Sequence, residues 1–166
     1  MGEHDNTFRA AVFAFVQDKQ GRVLLHRRQN TGYMDGYYDF PSGHVDEGEG
    51  FVAAAIRELA EETSLQATEE DLSLKHLDLN HTDFPYINVV FGVNKWQGEP
   101  RIMEPNKCDA MGFFALDALP EKCTLAVRYT EQAGFSSQGA TSYIDRDGFK
   151  RLMGVDFRTL QSIRAK

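Results

Sequence analysis

The sequence predicts one α+β domain, residues 1–166, and three observations support this prediction. The chain has 42% hydrophobic and 26% charged residues, the balance of a globular protein with one sizeable core. Segments with strand-like alternation flank a helical pattern near the middle of the chain. No internal repeat or long linker divides it. The predicted order is β-β-loop-α-β-β-β-α.

The first part of the chain predicts two strands, a loop and a helix. The segment FRAAVFAFVQDKQGRVLLHRR has two apolar stretches around the turn signal DKQG, which predicts a β-hairpin of residues 8–16 and 22–28. Residues 29–50 hold five glycines and a proline, so they predict a backbone that is mostly loop. Residues 50–63 are rich in alanine and repeat with a helical period, so they predict a helix.

The second part predicts three strands and two helices. The strand segments alternate or are rich in β-branched and aromatic residues, and a helical pattern after Pro120 stops at Gly134. A stretch of small residues then predicts a loop. The predicted elements are strands within 72–82, 87–96 and 111–120, helices at 121–134 and 148–164, and a loop at 136–142.

Composition excludes several classes of partner. The net charge of −7 repels extended nucleic acid. The longest clean apolar run, residues 10–16, is too short to cross a bilayer, and the N-terminus lacks the pattern of a secretion signal or lipid anchor. Cys108 and Cys123 form neither a disulfide framework nor a metal-binding pair. We therefore expect a cytoplasmic protein, monomeric or homodimeric, with reduced thiols.

The predicted helix carries an acidic group, Glu58, Glu61 and Glu62. At 100° per residue the three fall within an arc of about 100° and share one face of the helix. Ala54 lies among them and is small enough to leave room for a ligand. The apolar stripe expected to pack on a sheet is separate and consists of Val52, Ala55, Ile56, Leu59 and Thr63.

Three carboxylates on one arc repel each other unless cations lie between them. The simplest alternative is a solvated acidic face, which is the common position of surface glutamates. Hard divalent cations such as Mg²⁺ or Mn²⁺ take oxygen ligands, and the spacing i, i+3, i+4 can supply several to one site. Since Mg²⁺ usually binds carboxylates together with substrate phosphates, the acidic group predicts a phosphorylated ligand.

The stretch GHVDEGEGFVAAAIRELAEETSL resembles the signature of the Nudix hydrolase family, G-x5-E-x7-R-E-U-x-E-E-x-G-U, where U is a bulky aliphatic residue. A chance match in the chain is on the order of one in 10⁵, and similarity extends over residues 8–120. Ser64 replaces the family's glycine at the helix end, where a left-handed residue is often needed, at a cost of about 1 kcal/mol. Eight of the nine specified positions match: Gly43, Glu49, Arg57, Glu58, Leu59, Glu61, Glu62 and Leu65.

The resemblance implies a Nudix-type α/β/α sandwich whose mixed β-sheet carries the catalytic loop-helix-loop. It also implies hydrolysis of a nucleoside diphosphate linked to another moiety, with Mg²⁺ or Mn²⁺ as cofactor and a small-molecule nucleotide as substrate. Carried onto this chain, it makes Glu58, Glu61 and Glu62 metal ligands, one of which positions or deprotonates the attacking water. The Gly43 carbonyl is a further implied ligand.

Two more positions follow from the resemblance. Arg57 is expected to pair with Glu49 or Glu61 and to orient the acidic group, as a structural arginine or as part of the catalytic set. Relatives often place another acidic ligand in a later loop; Glu104 is the choice here, with Glu99 as the competing candidate and a solvated loop carboxylate as the alternative.

Substrate contacts are less strongly indicated by the sequence. Arg27 and Arg28 leave a strand in a segment that contributes a phosphate contact in relatives, although arginines at strand ends are usually solvated. Lys107 is a similar candidate. Aromatic residues near turns can stack on a base, although they more often belong to the core or rim. The aromatic candidates are Tyr33, Tyr37, Phe84 and Tyr86.

Three functions compete. The favoured one is a metal-dependent nucleotide pyrophosphohydrolase, which resembles relatives that act on nucleoside triphosphates, including oxidised purine nucleotides, with hydrolysis of another linkage such as ADP-ribose as the alternative. A non-catalytic nucleotide sensor on the same fold is less favoured because all the signature carboxylates are kept. An isomerase acting on isopentenyl diphosphate is disfavoured because neither Cys108 nor Cys123 has the expected context.

Overall fold

The computed structural model describes residues 7–82, 84–135 and 139–156. Along these ranges four strands precede the first helix, three strands separate it from the second helix, and one strand lies between the second and third helices; a 3₁₀ turn lies at Glu69–Asp71. The strands are β1 (Arg9–Val16), β2 (Val23–Arg28), β3 (Tyr38–Asp39), β4 (Ser42–His44), β5 (Leu72–Asn80), β6 (Tyr86–Val93), β7 (Cys108–Phe114) and β8 (Ala140–Ile144), and the helices are α1 (Phe51–Thr63), α2 (Leu125–Ala133) and α3 (Arg146–Met153).

The described strands form two sheets. The larger has the order β4-β1-β6-β5-β8, in which β1 runs parallel to β6 and antiparallel to β4. The smaller has the order β3-β2-β7 with antiparallel pairing. Parallel and antiparallel pairs thus occur in one sheet, which confirms the predicted mixed sheet. Within the described ranges no helix is both long and apolar enough to span a bilayer.

The prediction that residues 8–16 and 22–28 pair as a β-hairpin is wrong. Both strands form at nearly the predicted bounds, but only a single bridge, Gln17 to Val23, joins their ends. The strands then separate into different sheets. Instead, β1 lies between β4 and β6 in the larger sheet, and β2 lies between β3 and β7 in the smaller one. β1 is largely buried and takes partners on both sides.

Helices cover both faces of the larger sheet. Along β1, side chains alternate between the faces, so Val12 and Ala14 lie on the side of α1 and Phe15 lies on the side of α2 and α3. Ala55 and Leu59 of α1 pack on the first face. The second face is covered by a cluster that contains Leu125, Val127, Tyr129, Ile144 and Phe149. This layering confirms the predicted α/β/α sandwich.

Other predicted elements need correction. Residues 29–50 are mostly loop, as predicted, but they also contain the strands β3 and β4, which are too short to give a periodic pattern. The loop predicted at 136–142 contains the start of β8, which pairs in parallel with β5 at residues 76–80. The helix predicted at 148–164 spans Arg146–Met153 and stops at Gly154, which is left-handed; residues 157–164 lie outside the described residues.

Helix α1 ends in the left-handed conformation that the signature's glycine position suggested. Ser64 has φ 64° and ψ 0°, and its N–H donates to the Ala60 carbonyl. Its hydroxyl donates to the Glu99 carbonyl at 3.1 Å. Serine in this conformation carries a steric cost that glycine avoids, and the side-chain hydrogen bond offsets part of it.

We predict that Ser64→Gly unfolds at higher denaturant concentration than Ser64→Ala. Alanine keeps the left-handed strain and loses the hydrogen bond, whereas glycine loses the hydrogen bond but removes the strain. The expected difference is about 1 kcal/mol in the free energy of unfolding. Urea titrations of both variants measure it, and equal midpoints would contradict the strain.

A buried polar network connects β5, β6 and β8. Asp78 accepts hydrogen bonds from Asn88 Nδ2 at 3.2 Å and from Ser142 Oγ at 3.0 Å. Ser142 Oγ in turn lies 2.9 Å from His76 Nε2. Burial raises the pKa of Asp78 from 3.8 to about 6, since the two hydrogen bonds offset the desolvation of the carboxylate only in part.

This shift predicts a pH-dependent part of the stability. The folded state binds more protons at Asp78 than the unfolded state between the unfolded pKa of 3.8 and the folded pKa of about 6. The contribution of Asp78 to stability therefore falls as pH rises through this window and is constant above it.

Asp78→Asn should lack this component, so the difference between its free energy of unfolding and that of the wild type should change between pH 4 and 6 and level off above about pH 7. Urea unfolding across this pH range measures the difference, and Glu70→Gln, which removes an exposed carboxylate, is the control. A difference that does not vary with pH would contradict the shift.

Candidate active site

A cavity of about 710 Å³ lies between the larger sheet, helix α1 and the start of helix α2. Its size suits a small molecule such as a nucleotide. Acidic, basic and aromatic side chains all line it. They include Glu58, Glu61, Glu62 and Glu104; Arg9, Arg28 and Lys107; and Tyr33, Phe84 and Tyr86.

The structure brings most of the sequence-predicted site residues to this cavity, but not all of them. The three glutamates of α1 line it together with Gly43, Glu104, Arg28 and Lys107. Arg57 lies behind the glutamates and contacts them. Besides Arg57, the predicted site residues outside the cavity lining are Arg27, Tyr37 and the competing acid Glu99.

Arg57 links the loop that carries Glu49 to helix α1 through hydrogen bonds. Its guanidinium makes a two-pronged contact with Glu49, through Nε to Oε1 at 2.9 Å and through Nη2 to Oε2 at 2.8 Å. Its Nη1 reaches Glu58 Oε1 at 2.7 Å and Glu61 Oε2 at 3.3 Å, and Nη2 donates to the His44 carbonyl at 3.0 Å. The expected pairing of Arg57 with Glu49 or Glu61 is confirmed for both. Hydrogen bonds from Arg57 lower the pKa of Glu49 to about 2.

Gly43 allows the loop backbone to approach the Glu58 carboxyl group. A β-carbon at position 43 would lie 1.9 Å from Glu58 Cδ, far inside van der Waals contact. Strand β4 places Gly43 opposite Val12 of β1, so the sheet fixes the position of this backbone. The close approach explains why this position of the signature is glycine.

Glu62 is the most deeply placed of the three glutamates. Its Oε2 accepts a hydrogen bond from the Ser42 backbone N–H at 2.8 Å, and His26 Nδ1 lies 3.6 Å from the same oxygen. Loss of solvent raises the pKa of Glu62 to about 8, and burial also raises the pKa of Glu58. Both carboxyl groups would ionise more readily if a cation lay beside them.

The buried face of helix α1 differs from the apolar stripe that the residue spacing predicted. Ala54, placed among the acids by its angle, is fully buried against β1 and β6, whereas Val52 and Ile56 of the expected stripe are only half-buried. The acidic face therefore faces a cavity rather than open solvent on this side. Glu61 remains the most exposed of the three carboxylates.

The donor set fits a hard divalent cation. The cavity is lined by the carboxylate-bearing residues Glu58, Glu61, Glu62 and Glu104 and by Gly43, and oxygen ligands are what Mg²⁺ and Mn²⁺ prefer. In the described part of the chain, no three acidic, His or Cys side chains already surround one point. Two basic side chains form ion pairs with these carboxylates instead. Arg57 contacts Glu58 and Glu61, and Lys107 Nζ contacts Glu104 at 2.8 Å.

The two neighbouring arginines of β2 point to different places. Arg27 forms a two-pronged exposed ion pair with Asp109, at 2.7 and 2.9 Å, outside the cavity. Arg28 lines the cavity and donates to the Tyr33 carbonyl, to Asp39 and to Thr31. Successive side chains of a strand point to opposite faces, so only one of two adjacent arginines can reach the cavity.

Several buried polar residues of the cavity were missed by sequence reasoning. Asp39 is buried and accepts hydrogen bonds from Arg28 and from Thr124 Oγ1, the latter at 2.7 Å. The sequence signal that could have found such residues is a polar residue next to apolar ones in a strand, as for His26 in VLLHRR and Asn88 in INVV. Burial and the nearby Arg28 lower the pKa of His26 to about 4. The missed buried polar residues that line the cavity are His26, Asp39, Asn80, Thr82, Asn88 and Thr124.

Comparison with known proteins establishes the family. The NUDIX domain model matches residues 7–132, more than half of the chain. The chain therefore belongs to the Nudix hydrolase family, as the sequence signature predicted. Its fold agrees with this: a MutT NUDIX hydrolase from Burkholderia pseudomallei superimposes with a TM-score of 0.70 and 30% identity over 76% of this chain and 98% of that one.

Curated relatives carry names of nucleotide-cleaving enzymes. An 8-oxo-dGTP diphosphatase from Proteus vulgaris is 32% identical over 87 residues, which cover 51% of this chain and 74% of that protein. An RNA pyrophosphohydrolase from Wolbachia pipientis subsp. Culex pipiens (strain wPip) is 35% identical over 69 residues, or 42% of this chain, and the match covers only 41% of that relative.

We predict that Gly43→Ala loses activity while the fold remains. The added methyl group must displace the Glu58 carboxyl, which is the mobile end of a side chain, so the backbone can stay in place. Displacement of a site group by about 1 Å commonly costs about 100-fold in rate. Gly50→Ala is the matched control, because a β-carbon at that position meets no atom within 4 Å. Rates of nucleoside triphosphate cleavage and thermal unfolding measure both effects, and a normal rate for Gly43→Ala would contradict the crowding.

Proposed function

We propose that this protein hydrolyses a diphosphate linkage in a nucleoside triphosphate or related nucleotide, with Mg²⁺ or Mn²⁺ as cofactor. One observation carries the proposal: three glutamates of α1 and the basic side chains of Arg28 and Lys107 line the same cavity. The carboxylates suit divalent cations, and the basic side chains suit phosphate oxygens. An acidic protein can then bind an anionic substrate because cations lie within the site.

The residues that would hold the cation are Glu58, Glu61, Glu62 and Glu104, with the Gly43 carbonyl. Glu104 is preferred over Glu99 because only Glu104 lines the cavity. When bound, a divalent cation neutralises phosphate oxygens and lowers the pKa of water. Arg57 keeps the loop and helix in register through Glu49, and its contacts to Glu58 and Glu61 stabilise those carboxylates until the cation binds.

The reaction is substitution at phosphorus. The oxygen of a water attacks one phosphorus atom, and the bond from that phosphorus to the bridging oxygen breaks. One carboxylate of the acidic group accepts the proton of the water. Arg28 and Lys107 hold the phosphate chain, so positioning and electrostatics provide most of the acceleration. Arg27 and Tyr37 have no part in this proposal because they do not line the cavity.

The remainder of the cavity suits a nucleoside. Phe84 and Tyr86 offer aromatic surface, and the buried amides of Asn80 and Asn88 also line the cavity. Asn88 donates its Nδ2 to Asp78 and Asn80 accepts from the Thr82 N–H. Within the described residues the other side-chain polar atom of each amide makes no hydrogen bond, so it can meet a ligand. The name of the relative from Proteus vulgaris supports a nucleoside triphosphate, including an oxidised one, as the first substrate to test.

A panel of nucleotides with and without metal tests the proposal. It should include canonical and oxidised nucleoside triphosphates, ADP-ribose and a short RNA with a 5′ triphosphate, with product masses identifying the bond that is cleaved. We expect cleavage with Mg²⁺ or Mn²⁺ and almost none in EDTA. Tight nucleotide binding without turnover under any metal condition would favour a non-catalytic sensor instead.

We predict that Glu61→Gln and Glu62→Gln each lower turnover by roughly 100-fold or more, with thermal unfolding close to that of the wild type. The amide keeps the shape of the side chain but removes the charge that binds the cation. Glu99→Gln, in an exposed residue outside the cavity, should retain wild-type turnover and serves as the control. Near-normal rates for both Glu61→Gln and Glu62→Gln would contradict metal binding by these residues.

A further inference from the structure

His26 is a buried histidine that the proposed reaction does not use. It lies on β2, lines the cavity and is 4% exposed. Both ring nitrogens are buried and have no hydrogen-bond partner among the described residues. A neutral imidazole carries one N–H donor and one acceptor nitrogen, so both its donor and its acceptor are unsatisfied here.

A buried histidine without hydrogen-bond partners lowers the stability of the folded state. Burying a polar group without a hydrogen bond costs roughly 1–3 kcal/mol, and neighbouring positions of the same strand, Leu24 and Leu25, are filled by apolar side chains. A leucine at position 26 would avoid this cost. The unsatisfied imidazole therefore points to a partner that it acquires during function.

A polar group close to the ring is the Glu62 carboxylate. His26 Nδ1 lies 3.6 Å from Glu62 Oε2, which is too long for a hydrogen bond. A movement of about 0.7 Å would bring the pair to normal hydrogen-bond length. The same oxygen already accepts the Ser42 backbone N–H at 2.8 Å, so a second donor would fix the carboxylate from the protein side.

We propose that His26 is a positioning residue for Glu62, donating its Nδ1–H to Glu62 Oε2 when that carboxylate binds the divalent cation. The inference rests on the proposed function, because it assigns Glu62 to the cation. Hydrogen bonds behind a metal ligand orient it, and their removal typically weakens metal binding 10–100-fold. Ser42 N–H and His26 Nδ1–H would then both donate to Glu62 Oε2 and fix the orientation of the carboxylate. The substrate does not contact His26 in this arrangement.

Mn²⁺ affinity of three variants tests the inference without any substrate. The free Mn²⁺ signal in electron paramagnetic resonance is titrated with wild type, His26→Leu, His26→Gln and His26→Asn at one pH. An asparagine amide places an N–H donor near the position of Nδ1, whereas a glutamine amide reaches toward Nε2. We expect His26→Leu and His26→Gln to bind Mn²⁺ about tenfold more weakly or worse, and His26→Asn to bind within about threefold of wild type.

Thermal unfolding without metal separates positioning from a structural role. Removing an unsatisfied buried polar group should leave His26→Leu at least as stable as wild type, so its weaker Mn²⁺ binding would not arise from unfolding. Wild-type affinity in His26→Leu, or an affinity of His26→Asn as low as that of His26→Leu, would overturn the inference. If wild type cleaves nucleotides with Mn²⁺ but the His26 variants give either of these two results, the positioning role of His26 fails and the proposed function stands. If wild type binds no Mn²⁺, the proposed function fails first.

Discussion

The ion-pair network of Arg57 is the interaction on which the candidate site depends. Four carboxylates lie within 3.7 Å of Arg57, and their mutual repulsion would push the glycine-rich loop away from helix α1. They belong to Asp46 and Glu49 of the loop and to Glu58 and Glu61 of the helix. One guanidinium contacts Glu49 from the loop and Glu58 and Glu61 from the helix, and it also reaches the His44 backbone. An arginine suits this position because its planar fork can donate in several directions at once.

Burial makes the same acidic group receptive to a cation. Glu62 and Glu58 have lost much of their solvent, so their pKa values are raised, and only partial compensation comes from Ser42 N–H and Arg57. Gly43 brings backbone to within contact of the Glu58 carboxyl because no β-carbon intervenes. A fold that concentrates partly desolvated carboxylates beside basic side chains is suited to a ligand that carries both metal and phosphate.

The segment beyond the Nudix signature contributes to the walls of the cavity. Strand β8 extends the larger sheet, and its Ser142 donates to Asp78, which in turn fixes the amide of Asn88 on the cavity wall. Helix α2 begins at the cavity, where Thr124 donates to the buried Asp39. The chain after Pro120, which the sequence left without a role, thus supports residues that face the cavity.

The sequence by itself determined the helix, its three glutamates, the arginine beside them and the family, because all of these depend on spacing within one contiguous stretch. Contacts between distant segments decided the rest. Only the tertiary structure separated β1 from β2, brought Glu104 rather than Glu99 to the cavity, and placed Arg28 there while Arg27 turned to Asp109. It alone placed His26 beside Glu62. Local spacing fixes which face of an element a side chain occupies, whereas the neighbours of that face come from elsewhere in the chain.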